Sequence, residues 1–159
     1  MKENGFTLVE LIAVLVILSI LAMLAAPNVI NLMQSGKEGS FISDAEEMVS
    51  TATYMYKTQN TRGFEGSVFI QSGTNQYKIL MSNINGDIPE TDPYGYKYDK
   101  TNSYVSFQEP SDTATMGTRT ISAHFKSCQE DDNGNITSKC HCINAPDATD
   151  IKSADIGDC

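Results

Sequence analysis

The sequence has few basic side chains and no tryptophan. Its 159 residues contain 11 Lys and Arg against 20 Asp and Glu, which gives a formal net charge of -9. Nucleic acids are bound first through clustered Lys and Arg side chains, so a chain this acidic is poorly suited to that role. The length is that of one domain. We therefore expect no nucleic-acid partner.

The chain also lacks a recognisable catalytic motif. Its histidines, His124 and His141, have no nucleophile or carboxylate beside them in an arrangement typical of enzymes. General acid-base and nucleophilic catalysis both need such partners within hydrogen-bond reach. The sequence predicts a structural protein without catalytic residues, and it indicates no cofactor.

Charge is almost absent from one long segment near the N-terminus. Residues 6–26 contain a single ionisable side chain, that of Glu10, whereas residues 27–159 carry a net charge of -8. A helix of 21 residues is about 31 Å long, close to the roughly 30 Å thickness of a bilayer's hydrocarbon core. We predict that residues 6–26 form a membrane-spanning helix.

A cleaved secretory signal is the alternative interpretation of this segment. Small residues at Ala22, Ala25 and Ala26 leave room for a conventional cleavage site. However, a secretory signal has a basic N-terminal region and a shorter apolar core, whereas here Glu3 offsets Lys2 and the apolar run is long. The sequence therefore favours a retained helix.

Glu10 lies four residues into the apolar run. An ionised carboxylate at such a position is costly and is usually paired or functional. On physical grounds two interpretations stay open. The carboxylate either reaches the membrane interface or is protonated, or it pairs with a cation that another molecule supplies.

The string Gly5-Phe6-Thr7-Leu8-Val9-Glu10, followed by apolar residues to Ala26 and then Pro27, resembles the N-terminus of type IV pilins and of the related pseudopilins. The resemblance implies that a prepilin peptidase removes a leader, residues 1–5, on the cytoplasmic side, and that the new terminal residue, Phe6, is N-methylated. It also implies a role for Glu10 in assembly. In such proteins the glutamate pairs with the terminal amine of a neighbouring subunit, so that each charge offsets the other in hydrocarbon.

The resemblance further implies a structural subunit of a type IV pilus, with its head displayed for surface adhesion or motility. Its partners would be other copies and other pilins in a helical filament, the prepilin peptidase and the pilus assembly machinery. Before assembly it would be a single-pass protein of the cytoplasmic membrane with its N-terminus inside, and afterwards part of a cell-surface pilus. The alternative is a pseudopilin of a type II secretion or competence system, with DNA uptake in the second case.

Residues 27–59 are predicted to form the amphipathic second half of the same helix. Pro27 removes a backbone hydrogen bond and is expected to kink the helix. Beyond it apolar residues recur every three or four positions, as in a helix that lies on a globular head. Gly36 and Gly39 each cost roughly 1 kcal/mol relative to Ala in a helix. Two helices joined by a loop near residues 35–40 are therefore the alternative. The apolar positions are Phe41, Ala45, Met48, Ala52 and Met55.

Residues 60–159 are predicted to form a small antiparallel β-sheet, which makes the fold class α+β. Residues 60–66 read as a loop. Residues 94–98 and 104–108 are predicted to form a hairpin around a turn at residues 99–102. The string Asp92-Pro93-Tyr94-Gly95 resembles a turn at the start of the sheet in major pseudopilins and several Gram-positive pilins. Other strands are predicted at residues 68–70, 77–81, 120–126 and 136–143, with a short helix as the alternative at residues 77–81.

All four cysteines lie within the last 32 residues. Asn133-Gly134 is a strong hairpin signal, and a loop of residues 133–135 would pair Asp132 with Ile136 and hence Cys128 with Cys140. Cys142 would then bond to Cys159. The alternative joins Cys128 to Cys142 and Cys140 to Cys159. Either bond to Cys159 would resemble the C-terminal disulfide loop of many pilins.

The same cysteines could instead hold zinc, with His141 between two of them. Their Cys-x-Cys spacing, at Cys140 and Cys142, lacks the two intervening residues of common zinc knuckles. We therefore predict no metal site.

Overall fold

The computed structural model describes residues 7–62, 68–110 and 119–159. The chain has two compact units, Met1–Gly36 and Lys37–Cys159. One α-helix, α1 (Leu8–Arg62, 55 residues), is followed in the described part of the chain by seven strands and two short 3₁₀ helices. The predicted α+β class is confirmed.

α1 passes through Pro27, Gly36 and Gly39 without an interruption. The alternative of two helices with a loop near residues 35–40 is therefore wrong. Tertiary packing of an amphipathic face stabilises a helix more than intrinsic propensity does, which outweighs the cost of the glycines. The helix also continues to Arg62, so residues 60–62 of the predicted loop are helical, and the rest of that prediction lies outside the described residues. The predicted kink at Pro27 stays a prediction.

The strands form one antiparallel sheet in the order β1-β2-β4-β5-β6-β7, and β3 pairs separately with β5. β1 begins at Ile70, so Val68 and Phe69 precede the strand that was predicted to include them. The predicted strands near residues 77–81, 120–126 and 136–143 are confirmed as β2, β5 and β6. The bounds are β1 (Ile70–Gly73), β2 (Gln76–Leu80), β3 (Lys97–Tyr98), β4 (Tyr104–Gln108), β5 (Thr120–Glu130), β6 (Ile136–Ala145) and β7 (Ile156–Asp158), and the 3₁₀ helices are Met81–Asn83 and Ser153–Asp155.

The core lies between the second half of α1 and one face of the sheet. Four of the five predicted apolar positions of the helix are buried and Met55 is partly buried, which confirms the predicted amphipathic face. Tyr56 stacks on Phe107 of β4, with ring centroids 4.3 Å apart and an interplanar angle of 17°. The fully buried apolar side chains of the sheet include Ile79, Val105, Phe107, Phe125 and Ile143.

Residues 104–108 form the predicted strand, which is β4, but the predicted hairpin between this strand and residues 94–98 is wrong. Within residues 94–98 only Lys97–Tyr98 is a strand, and it pairs with Ser127 and Cys128 of β5. β4 cannot take it as a partner, because β2 and β5 already occupy both of its edges. Residues 92–96 form a turn before β3, and residues 94–96 therefore pair with none of the described strands.

The β5–β6 hairpin has the predicted pairing of Cys128 with Cys140, but a longer turn. Ile136 lies opposite Glu130 instead of Asp132, and an irregularity between Cys128 and Glu130 restores the register. The Asp131 carboxylate accepts hydrogen bonds from the backbone N–H groups of Asn133 (2.9 Å) and Asn135 (2.8 Å), which stabilises the wider turn.

Candidate assembly site

The N-terminal unit exposes a long apolar helical surface. Every described side chain from Thr7 to Gly36 is exposed, including Leu8 (73%) and Met23 (81%). No charged residue occurs between Glu10 and Lys37. Contiguous apolar surface of this extent marks a contact with lipid or with protein. Among the described residues, α1 is the one helix long and apolar enough to cross a membrane.

Glu10 lies in the first turn of α1 and closes a capping box with Thr7. Its Oε2 accepts hydrogen bonds from the Thr7 backbone N–H (2.9 Å) and hydroxyl (2.8 Å), and the Glu10 N–H donates to the Thr7 hydroxyl oxygen at 3.3 Å. A carboxylate in the first turn also interacts favourably with the helix dipole. The spacing Thr7-x-x-Glu10 is the sequence signature from which this cap is predictable.

The cap does not satisfy the whole carboxylate. Both bonds from Thr7 reach the same oxygen, Oε2. The structure shows no ion pair between Glu10 and any cation within the described ranges. The other oxygen, Oε1, therefore remains as an acceptor on an apolar helix, where a charged donor from another molecule would be favoured.

Two of the predicted site residues, Gly5 and Phe6, lie outside the described residues. The cleavage and the N-methylation assigned to them stay predictions. Pro27 lies within α1.

In the head, the Asp92 turn (residues 92–96) joins the loop before β3 to the sheet. Asp92 is 4% exposed, and its Oδ1 accepts hydrogen bonds from the N–H groups of Tyr94 (2.9 Å) and Tyr96 (2.8 Å). Its Oδ2 accepts a bond from the hydroxyl of Ser127 on β5 at 2.6 Å. Gly95, with a φ of 86°, completes the turn in a conformation that favours glycine. These three hydrogen bonds satisfy the buried carboxylate and connect the turn to β5.

His141 lies beside the Asp92 turn. The sequence suggested that this histidine is isolated, but in the structure it has close neighbours. Its ring centroid is 4.6 Å from that of Tyr94 and 4.6 Å from that of Tyr96, and its Nδ1 is 3.6 Å from Asp92 Oδ2. The Asp92 carboxylate accepts hydrogen bonds from two backbone N–H groups and from the Ser127 hydroxyl. It does not orient the His141 imidazole toward a nucleophile. The cluster connects the turn to β6.

The cysteines form two disulfides, Cys128–Cys140 and Cys142–Cys159. This is the first of the two pairings that the sequence left open. The first bond joins β5 to β6, and the second ties the chain terminus, including β7, to β6. With both bonds formed, no cysteine sulfur in the described part of the chain is free to act as a thiolate ligand. The absence of a metal site stays a prediction.

A charged network links α1 to the strands on either side of residues 111–118. Glu109 Oε1 accepts hydrogen bonds from the Tyr56 hydroxyl (2.7 Å) and from Arg119 Nε (2.8 Å). The Arg119 guanidinium lies 4.6 Å from the Tyr56 ring centroid. Burial is the main cause that raises the pKa of Tyr56 well above the usual tyrosine value, and the hydrogen bond to Glu109 and the charge of Glu109 raise it further.

The geometry defines a class: an exposed apolar helix with one acidic residue in its first turn, joined to a disulfide-bonded α+β head. Residues 1–26 match the family model described as the prokaryotic N-terminal methylation motif. The chain is also 38% identical over 61 residues to the type II secretion system core protein G of Aeromonas hydrophila and to that of Pectobacterium carotovorum subsp. carotovorum.

These similarities are partial. The match covers 38% of this chain, and it spans 42% of the Aeromonas protein and 38% of the Pectobacterium protein. No solved structure matches the chain. The resemblance to a prepilin-type N-terminus is thus confirmed at residues 1–26, and together with the similarity to type II secretion system core protein G it supports a pilin-like filament subunit.

Proposed function

We propose that this protein is a structural subunit of a type IV pilus. A prepilin peptidase cleaves after Gly5, Phe6 is N-methylated, and the subunit waits in the cytoplasmic membrane before it enters a surface filament. In the proposed organisation, residues 1–5 are the leader, 6–26 the membrane and filament-core helix, 27–59 its amphipathic half and 60–159 the head. Other copies, other pilins and the pilus assembly machinery are its partners.

The observation that carries this proposal is the exposed apolar surface of residues 7–36, with Glu10 as its one charge. Such a surface is compatible with lipid before assembly and with neighbouring helices afterwards. Glu10 keeps one oxygen free of the Thr7 cap. Cleavage after Gly5 would create an α-amine on Phe6, and this amine on an adjacent subunit would be the missing cation. Pairing would then fix the register between subunits.

Three variants separate the charge of Glu10 from its capping role. Glu10→Gln keeps a side-chain acceptor for the capping box but removes the charge. Thr7→Ala removes the hydroxyl contacts of the cap and keeps the charge, and Glu10→Ala removes the charge together with the carboxylate contacts of the cap. We expect filament yield from cells to fall at least tenfold for both Glu10 variants, since breaking a buried ion pair costs about 3 kcal/mol or more, and to stay near wild type for Thr7→Ala.

The assay is quantification of filaments sheared from cells, alongside immunoblots that confirm a processed subunit in the membrane. Normal filaments from Glu10→Gln together with a loss in Thr7→Ala would show that Glu10 acts only as a helix cap. That outcome would contradict the pairing role.

A pseudopilin is the second candidate, and the relatives named type II secretion system core protein G favour it. The two roles differ in where the head resides. Immunogold labelling with antibody to the head should decorate long surface filaments if the chain is a pilus subunit. Labelling confined to the cell envelope would instead support the pseudopilin.

A further inference from the structure

A polar groove of about 500 Å³ crosses the face of the sheet that points away from the core. Side chains alternate between the two faces of a strand. Lys78 and Tyr104 therefore lie on the face of the sheet opposite to the one on which Ile79 and Val105 are buried. We call this groove the sheet groove and define it by two rows of facing residues. They are Tyr104, His124 and Asn144 in one row and Lys78, Ser106 and Ser122 in the next.

Lys78 is the one Lys, Arg, Asp or Glu among the described residues that line the sheet groove. No Asp or Glu is among its lining residues, all of which belong to the described part of the chain. Lys78 Nζ lies 5.5 Å from the centroid of the Tyr104 ring and forms no ion pair with any residue that the structure describes. By contrast, Lys97, Lys100 and Arg119 each contact a carboxylate. An unneutralised cation in a groove attracts an anion.

Aromatic rings and neutral hydrogen-bonding groups surround this cation. The Tyr104 and His124 rings lie 5.4 Å apart at an angle of 34° and form a platform between strands. His124 Nδ1 is hydrogen-bonded to Asn144 Oδ1, which leaves the amide N–H groups of Asn144 as donors. The hydroxyl oxygens of Ser106 and Ser122 are 2.6 Å apart. A bare inorganic anion would make no use of the platform.

We propose that the sheet groove binds an acidic saccharide. Lys78 contacts the carboxylate of the sugar, Tyr104 lies against the apolar face of its ring, and the amide of Asn144 and the serine hydroxyls bind sugar hydroxyl groups. This activity goes beyond filament assembly, because every residue of the groove lies in the Lys37–Cys159 unit and none lies on the exposed apolar surface.

The test is isothermal titration of the full-length chain in non-ionic detergent with three uronic-acid tetrasaccharides, those of galacturonate, mannuronate and hyaluronan. We expect at least one of them to bind, and its methyl ester, which lacks the charge, to bind about tenfold more weakly, as expected for loss of a charge-assisted hydrogen bond. Lys78→Gln should produce a similar loss. Lys78→Arg should retain binding, and Tyr104→Leu should weaken it.

Lys139→Gln is the matched control, since it removes the same charge from an exposed position of β6 outside the groove. It should bind like wild type. A tetra-aspartate peptide provides the second comparison.

Three results would overturn the proposal. They are no binding of any of the three tetrasaccharides, equally tight binding of tetra-aspartate, which would assign the groove to acidic peptides, and an equal loss of affinity in Lys139→Gln. Far-UV circular dichroism of each variant checks that the sheet is intact.

Discussion

At the scale of single residues, two carboxylates of the Lys37–Cys159 unit differ in how their charge is compensated. Asp92 is buried and receives three hydrogen bonds, so its charge is compensated. Asp44, on α1, is partly buried, and the charges of Glu47 and Asp92 act on it. Burial first, and then these two charges, raise the pKa of the Asp44 carboxyl above its usual value. An ionised Asp44 therefore opposes folding.

The sign of this effect gives a prediction. A group whose pKa is raised in the folded state contributes stability below its unfolded pKa of 3.8 and loses that contribution as pH rises. We expect Asp44→Asn to stabilise the head at pH 7 by a few tenths of a kcal/mol, the typical size of a like-charge effect along a helix. The gain should diminish toward pH 3. Urea denaturation of the full-length chain in detergent measures it.

Asp132→Asn is the control, because Asp132 is exposed in the β5–β6 turn. It should change the urea midpoint little. A gain as large as that of Asp44→Asn would assign the effect to net charge instead of to the surroundings of Asp44.

Residue roles were predictable where the partners are close in sequence. Thr7 and Glu10 are three positions apart, and their capping box can be read from that spacing. Asp92 and Ser127 are 35 positions apart, and their hydrogen bond depends on the pairing of β3 with β5. No local pattern encodes such a contact. The same holds for His141, which the sequence presents as isolated.

At the scale of elements, hydrophobic periodicity predicted most of the architecture. Ile121, Ala123 and Phe125 alternate with polar residues and form the centre of β5. The tyrosines at residues 94, 96 and 98 alternate in the same way, yet only Lys97–Tyr98 is a strand. Hydrogen bonds from Tyr94 and Tyr96 to Asp92 take up the backbone groups that a ladder would need. A side-chain acceptor thus overrides periodicity.

The terminal strand β7 depends on a covalent bond, and this gives a second prediction. β7 has three residues and pairs only with β6 in the described sheet. The Cys142–Cys159 bond, with a separation of 17 residues, is expected to contribute about 3 kcal/mol. In the Cys142→Ser/Cys159→Ser double variant, the amides of β7 should lose protection from hydrogen exchange while those of β4 and β5 keep it.

Hydrogen exchange read by mass spectrometry measures this difference on the full-length chain. Unchanged protection in β7 would show that its ladder with β6 holds the terminus without the disulfide. The Cys128→Ser/Cys140→Ser variant is the comparison, since it breaks the other bond and leaves the terminus tied.

At the scale of the whole molecule, two buried tyrosines, Tyr56 and Tyr98, make the free energy of unfolding decrease at alkaline pH. Burial is the first cause that raises the pKa of both Tyr56 and Tyr98 well above the unfolded value of 10.0. Well below pH 10 both are neutral in the folded and unfolded states. Above it, the unfolded chain releases protons and the folded chain does not, so stability falls as pH rises.

Phenylalanine substitutions test this third prediction. The Tyr98 hydroxyl has no hydrogen-bond partner among the described residues, so Tyr98→Phe should cost little at pH 7 and should move the alkaline unfolding midpoint upward. Tyr56→Phe removes the bond to Glu109 and should destabilise the head at pH 7 by about 1 kcal/mol. A pH series of thermal unfolding curves compares them. An unchanged alkaline midpoint in Tyr98→Phe would contradict the account.

The central claim, that the chain is a processed filament subunit, depends on what happens at Gly5 and Phe6. Mass spectrometry of the N-terminal peptide, on the protein isolated from the cells that produce it, tests this claim most directly. We predict that the mature chain begins with N-methylated Phe6. A chain that begins at Met1, or one cleaved beyond Ala26 as a secretory signal would be, would contradict it.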